Sequence, residues 1–204
     1  HYQGINWIRG SMGDSVYHGL TLRAERRFEK GLLFQSSFTF AKLIDNVTER
    51  FASGGSGGFI NPYDLRRSRS LSDQDISQRW VSNFVYELPF GRGKKFVSAG
   101  IAGWILGNWQ ASGIVVMQTG TPMSIGAACS TQLPGIGCYN LRVADPRLPD
   151  GQQTMDKWLN TTAFQVTPQY SMGNDSRTQP NLRNPGQISF DSVLSRWQPI
   201  RERM

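Results

Sequence analysis

Hydrophobic and polar residues alternate along several stretches of the chain. From Tyr17 to Phe28, His18, Leu20, Leu22, Ala24 and Phe28 fall on one face and Thr21, Arg23, Glu25 and Arg27 on the other, the period-two pattern of a strand. Glu29-Lys30-Gly31 reads as a tight turn. Leu32 to Ile44 then alternates again, with Leu32, Phe34, Phe38 and Phe40 against Gln35, Ser37 and Thr39, so residues 17–28 and 32–44 are expected to form a hairpin of long strands. A third strand is expected over 79–88, with Trp80, Phe84, Tyr86 and Leu88 opposing Arg79, Asn83 and Glu87. A fourth is expected over 108–119, where Trp109, Ala111, Val115 and Met117 oppose Gln110, Ser112 and Gln118 while Ile114 and Val116 interrupt the polar face. A fifth is expected over 187–196, with Ile188, Phe190 and Leu194 opposing Ser189, Asp191 and Ser195.

The connections alternate in length. Those at 29–31 and about 89–103 are short, whereas 45–78 and 120–186 are long, polar and rich in Gly, Ser and Pro, the first carrying the run Ser53-Gly54-Gly55-Ser56-Gly57-Gly58. Transmembrane barrels show this alternation, with short periplasmic turns, long extracellular loops and strands of about ten residues that present apolar side chains to lipid and polar ones to the lumen. A soluble sandwich would instead turn about every 8–12 residues. The pattern therefore predicts an all-β chain of antiparallel strands, part of a transmembrane β-barrel with long extracellular loops. Leu20, Leu22, Phe34 and Phe38 are expected on one outward face. Arg23, Glu25, Arg27, Gln35, Asn83, Glu87, Gln110 and Gln118 are expected to face the lumen, and Tyr17, Phe28, Phe34, Phe40, Trp80, Phe90, Trp104 and Trp109 to supply interfacial aromatics. Within the second loop, Thr154 could cap a short helix over 154–159.

Composition supports strands and turns: 38% of residues are hydrophobic and the mean hydropathy is -0.40, yet aromatics reach 11% and Gly numbers 22. No run approaches the roughly 18 consecutive apolar residues of a membrane-spanning helix. The chain starts at His1 with neither Met nor a basic-then-apolar leader, so residue 1 is not expected to be the native start. The net charge of +7 is dispersed over Arg23, Arg26, Arg27 and Lys30, over Arg66, Arg67 and Arg69, and over Arg92, Lys94 and Lys95, which does not make the one-sided patch that nucleic acid requires.

Candidate chemistry is sparse. Cys129 and Cys138 lie close together in a Gly/Pro-rich loop, which suits a disulfide in an oxidising compartment. They cannot complete a zinc site with only His1 and His18 as further ligands, and neither histidine is placed to serve a nucleophile. Asp64, Asp73 and Asp75 could be read as a calcium loop but lack a regular ligand ladder, so turn capping and pairing with Arg66, Arg67, Arg69 or Arg79 is the expectation. Gly91-Arg92-Gly93-Lys94-Lys95 lacks the spacing of a phosphate loop. No catalytic residue, metal or cofactor is expected, and the chain is not expected to be an enzyme.

Several segments resemble the barrel of Oar-like TonB-dependent receptors. They are Gly13-Asp14-Ser15-Val16-Tyr17, Phe38-Thr39-Phe40-Ala41-Lys42-Leu43-Ile44-Asp45, and Ser72-Asp73-Gln74-Asp75 leading to Arg79. The most specific are Val85-Tyr86-Glu87-Leu88-Pro89-Phe90-Gly91, Ile105-Leu106-Gly107-Asn108-Trp109-Gln110 and Gln118-Thr119-Gly120-Thr121-Pro122. Trp158-Leu159-Asn160-Thr161-Thr162-Ala163-Phe164 is similar to the family's Trp-Phe-Asn…Ala-Phe element with Leu159 in place of Phe, and Gln78 stands where the family has His. The resemblance implies a place in the bacterial outer membrane, with lipid and lipopolysaccharide around the barrel, uptake of an unnamed substrate, and coupling to the TonB system through plug and regulatory-like parts outside these residues. The alternative from the residues alone is a secreted or surface-bound soluble β-domain that binds carbohydrate or protein through its loops.

Overall fold

A computed structural model of the chain describes residues 12–29, 31–47, 61, 63–91, 94–96, 105–126, 136–149 and 151–197. The five expected strands are present: β1 (Ser15–Glu29), β2 (Leu32–Asp45), β4 (Gln78–Glu87), β5 (Trp109–Gln118) and β8 (Gln187–Arg196). They form one sheet in the order β1-β2-β4-β5-β8. The pairs β2–β4, β4–β5 and β5–β8 are antiparallel in register. In the first hairpin, Thr21 lies against Thr39 (Oγ1 to Oγ1, 3.2 Å) and Arg23 against Gln35, so numbers rise on one strand as they fall on the other. Gly31 closes the turn at φ 84°, a left-handed angle that glycine adopts without strain, while Lys30 lies outside the described residues.

The chain divides into two compact units. One comprises residues 1–18, 41–76 and 119–185, and the other residues 19–40, 77–118 and 186–204.

Among the described residues the strand unit has no core. All their buried hydrophobic side chains (Ala41, Tyr139, Leu148, Ala163 and Leu182) belong to the other unit. On the sheet, Leu20 is 60% exposed, Phe190 60% and Ile188 75%. Burying a large apolar side chain stabilises by about 1.5–3 kcal/mol, and a sheet in water would cover such a face with a second layer.

The loop unit is built differently, from short elements stitched by polar groups. β3 (Ser70–Leu71) adds to the end of β2, pairing Ile44 with Leu71 and Asp45 with Ser70. A 3-10 turn η1 (Leu65–Ser68) precedes it, and Asp64 Oδ1 accepts from Arg66 N at 3.2 Å, so this aspartate does cap a turn. β6 (Leu141–Arg142) pairs with β7 (Phe164–Gln165). On the other side of Arg142, the Asn174 amide takes the place of a strand, accepting from Arg142 N (2.6 Å) and donating to Arg142 O (3.0 Å).

Residues 154–159 are not helical. Thr154 does supply the capping contact, its Oγ1 accepting from Lys157 N at 3.1 Å, but Lys157 O accepts from Thr154 N at 3.0 Å and closes a local turn in place of a helix. The helical turn lies further on, as η2 (Thr161–Ala163), capped by Asn160 Oδ1 accepting from Thr162 N at 3.2 Å.

Candidate functional site

Register fixes which side chains share a face, because a residue and its antiparallel partner point the same way. On one face Phe34 lies opposite Phe84, Phe38 opposite Trp80, Trp80 opposite Met117, and Met117 opposite Ile188; Val115 lies opposite Phe190. Trp80 Nε1 donates to Ser36 Oγ at 2.7 Å, and Ser82 Oγ donates to the Gln35 carbonyl at 3.3 Å. These polar atoms on a largely apolar face therefore find partners within the protein, as hydrocarbon surroundings demand. Phe84 covers Gly113: a Cβ there would come within 2.9 Å of its ring and 3.1 Å of Asp191 O. Trp104, expected among the interfacial aromatics, lies outside the described residues.

The opposite face gathers the expected lumen residues. Arg23 Nη2 donates to Glu25 Oε2 at 3.0 Å, and the Gln35 amide oxygen accepts from Arg23 Nη2 (2.6 Å) and Nε (3.1 Å). Gln35 lies opposite Asn83, and Asn83 opposite Ile114. Glu87 lies opposite Gln110 and accepts from Lys94 Nζ at 2.6 Å; Gln110 Oε1 accepts from Trp197 Nε1 at 3.1 Å. Glu87, Lys94, Trp109, Gln110 and Trp197 line a cavity of about 270 Å³. Gln118 Nε2 donates to Gln187 Oε1 at 3.3 Å. Arg27 is exposed on β1.

Side chains outside the expected set complete this face. Arg79 stands between Thr39 and Gln118, and Asp191 opposite Ile114, positions that period-two alternation already placed on the polar side. Lys94 and Trp197 lie beyond strand ends, where alternation carries no information. The ion pairs Arg23–Glu25 and Lys94–Glu87 are partly exposed, so each contributes on the order of 0–1 kcal/mol.

The loop unit corrects the expectation for Asp75. Its partner is none of Arg66, Arg67, Arg69 or Arg79 but Arg183, far away in sequence: Arg183 Nη2 donates to Asp75 Oδ2 at 2.6 Å, and Nη1 donates to the carbonyls of Asp75 (3.1 Å) and Gly120 (3.0 Å). Asp75 Oδ1 accepts from Leu43 N at 2.6 Å. Arg177 pairs with Asp45 in the same manner and donates from Nε to Ser68 O at 3.2 Å. Arg69 pairs with Asp14 at 2.7 Å. Pairing by nearness in sequence fails here because the second long loop folds back along the first, and its arginines reach carboxylates that local geometry leaves unmet. Among the described residues no group of three or more His, Cys, Asp or Glu side chains is arranged to hold a metal ion. Cys138 is disulfide-bonded; Cys129 lies outside the described residues.

Motif residues have identifiable structural work. A Cβ on Gly120 would fall 1.8 Å from Asn184 O, so Gly120 permits the close approach in which Asn184 N donates to Thr121 O (2.8 Å) and Met123 N to Leu182 O (3.0 Å). Gly91, at φ 111°, sits with its Cβ position 2.7 Å from Gly107 Cα. Trp158 Nε1 donates to Arg183 O at 2.7 Å, and Ala163 is fully buried.

No helix among the described residues is long and apolar enough to cross a membrane, a test that does not bear on crossing by strands. An exposed apolar face backed by a polar face, on long antiparallel strands joined alternately by short and long connections, defines a segment of β-barrel wall. The chain belongs to the family of outer membrane beta barrel domains, whose model matches residues 2–204, and its place is the bacterial outer membrane. No curated protein and no solved structure matches it. The soluble-domain alternative gives way to this membership.

Proposed function

We propose that the chain serves in the barrel of an Oar-like TonB-dependent receptor, where it forms wall and extracellular loops for the uptake of a substrate. The observation that carries the reading is the agreement between motif and geometry: Gly91, Gly120 and Trp158, all within the family-like segments, occupy positions that close contacts demand. Arg23, Glu25, Arg27, Gln35, Asn83, Glu87, Gln110 and Gln118 line the lumen in this reading, and the opposite face meets lipid and lipopolysaccharide. The role is architecture and solute contact, without catalysis.

The test uses the intact protein in its native membrane. Site-specific cross-linking should capture TonB, and solute accumulation should stop when an uncoupler collapses the proton gradient. Absence of TonB cross-links together with uptake indifferent to the uncoupler would leave a barrel of another kind.

A further inference from the structure

The cavity of about 270 Å³ beside Glu87 and Gln110 lies wholly within the strand unit, where β4 ends and β5 begins. Backbone bonds fix its walls. Leu88 N donates to Trp109 O (2.9 Å), and Trp197 N donates to Asn108 O (3.0 Å), which carries the β5–β8 ladder one residue past the strand end. Asn108 sits at φ 62°, a left-handed angle that asparagine adopts more readily than most residues. Trp197 is 71% exposed, yet its indole is held by the edge, Nε1 donating to Gln110 Oε1 at 3.1 Å. The result is an apolar plate fixed in advance on a polar face, so little ordering is left for a ligand to impose.

The polar groups around the plate narrow the chemistry of that ligand. Lys94 Nζ donates to Glu87 Oε2 at 2.6 Å, so the cavity holds one positive and one negative charge that compensate each other. An anion would be repelled by Glu87 and a cation by Lys94, which disfavours a net charge of either sign. A purely apolar ligand would strip water from the Glu87 carboxylate and the amides of Gln110 and Asn108 without replacing its bonds. Lys94 takes one oxygen of Glu87 and leaves Oε1 to accept; Trp197 takes Oε1 of Gln110 and leaves Nε2 to donate. An uncharged ligand with hydroxyls at its rim and an apolar face answers all of these groups, and a hexose ring has that form.

We propose that this cavity binds one hexose ring of a neutral saccharide, its C–H face against Trp197 and its hydroxyls on Glu87 Oε1 and Gln110 Nε2. A ligand this small in an open site binds weakly, with a Kd on the order of 10⁻³ M. The proposal rests on the reading of this face as one that contacts solute, and it holds whether or not TonB drives uptake.

The experiment takes the intact protein purified from outer membranes in an amine-oxide detergent, because a detergent with a sugar headgroup would compete. Saturation-transfer NMR is run with glucose, galactose, mannose and N-acetylglucosamine. At least one should bind, with the strongest transfer to ring C–H protons of one face, and glucuronate and glucosamine should bind more weakly than it does. Trp197→Ala should weaken binding at least about threefold and abolish the preference for one face, whereas Trp197→Phe keeps a plate and should retain that preference. Gln110→Leu should weaken binding as well, and it carries the test where Trp197→Ala fails to fold. The proposal is overturned if none of the four sugars binds, if a charged sugar or glycine binds more tightly than the neutral ones, or if binding is unchanged in Trp197→Ala or Gln110→Leu. Equilibrium binding needs no proton gradient, so its failure is separate from a failure of coupled uptake.

Discussion

Replacing Arg183 with Met should open the junction of the two long loops, and its cost can be worked from the geometry. The substitution keeps much of the aliphatic stem but removes a charge-assisted bond to Asp75 Oδ2 and two bonds to the carbonyls of Asp75 and Gly120. Asp75 is 1% exposed and would keep only Leu43 N donating to its carboxylate. Breaking one side of a buried pair costs about 3–5 kcal/mol, most of it from the stranded charge. Asp75→Asn in the same background removes that charge and leaves an oxygen that can still accept from Leu43 N, so the double variant should recover about 1–3 kcal/mol. The readout is hydrogen exchange at the Leu43 amide, protected by Asp75, in the protein held in detergent or membrane. Where exchange reports local opening, Arg183→Met should accelerate it by between about two and four orders of magnitude, each decade being about 1.4 kcal/mol. An acceleration under tenfold, or a double variant no slower than the single, would refute the account of a stranded charge.

Four further outcomes are expected. Cysteines at Asn83 and Gln110 should react with a small membrane-impermeant maleimide, while cysteines at Phe190 and Ile188 should be shielded by lipid; the reverse pattern would invert the faces. Gly113→Ala should cost about 1–3 kcal/mol through overpacking against Phe84, measured by urea unfolding in detergent, and adding Phe84→Leu should lessen that cost. Cys129 should resist alkylation until reductant is added, and opening so short a loop should lower stability by about 2–3 kcal/mol on the chain-entropy account. The 204-residue chain expressed alone should not give a monodisperse soluble monomer by size exclusion, because β1 and β8 are the outer strands of a sheet whose backbone edges lipid will not tolerate; a sharp monomer peak with a cooperative melt would show a closed core.

Strand positions were legible because burial on one face imposes period two. Gln187–Arg196 matches the expectation, and the other four strands differ from it by one or two residues at their ends. Face assignment followed from the same signal. What remained hidden lies where no period operates. Nothing in the sequence ties Arg183 to Asp75 rather than to a nearer acid, since a long loop closes on partners that only its folded path brings near. The Thr154 cap misled for a related reason: the capping contact is local and forms in a turn as readily as in a helix, and tertiary bonds such as that from Trp158 Nε1 to Arg183 O govern the residues beyond it.

The polar face carries a pattern that alternation alone could not resolve. Across β2, β4, β5 and β8, the row Gln35–Asn83–Ile114–Asp191 lies between Leu33–Val85–Ser112–Val193 and Ser37–Val81–Val116–Ser189. Beyond these rows stand Thr39–Arg79–Gln118–Gln187 at one end and Glu87–Gln110–Ser195 at the other. The aliphatic residues that interrupt the polar face are thus matched across strands, Leu33 with Val85 and Val81 with Val116, and such pairs contribute roughly 0.2–1 kcal/mol each to the sheet. Ile114 and Val116 looked like defects when β5 was considered by itself. With its neighbours in place Val116 completes a pair, whereas Ile114 stands among Asn83 and Asp191 and adds apolar surface, 49% exposed, to a polar row. This polar face is graded from polar ends to a mixed centre, and if it lines the lumen as proposed, its contacts with a solute are set as much by Val81, Ile114 and Val116 as by the charged residues that mark the face in the sequence.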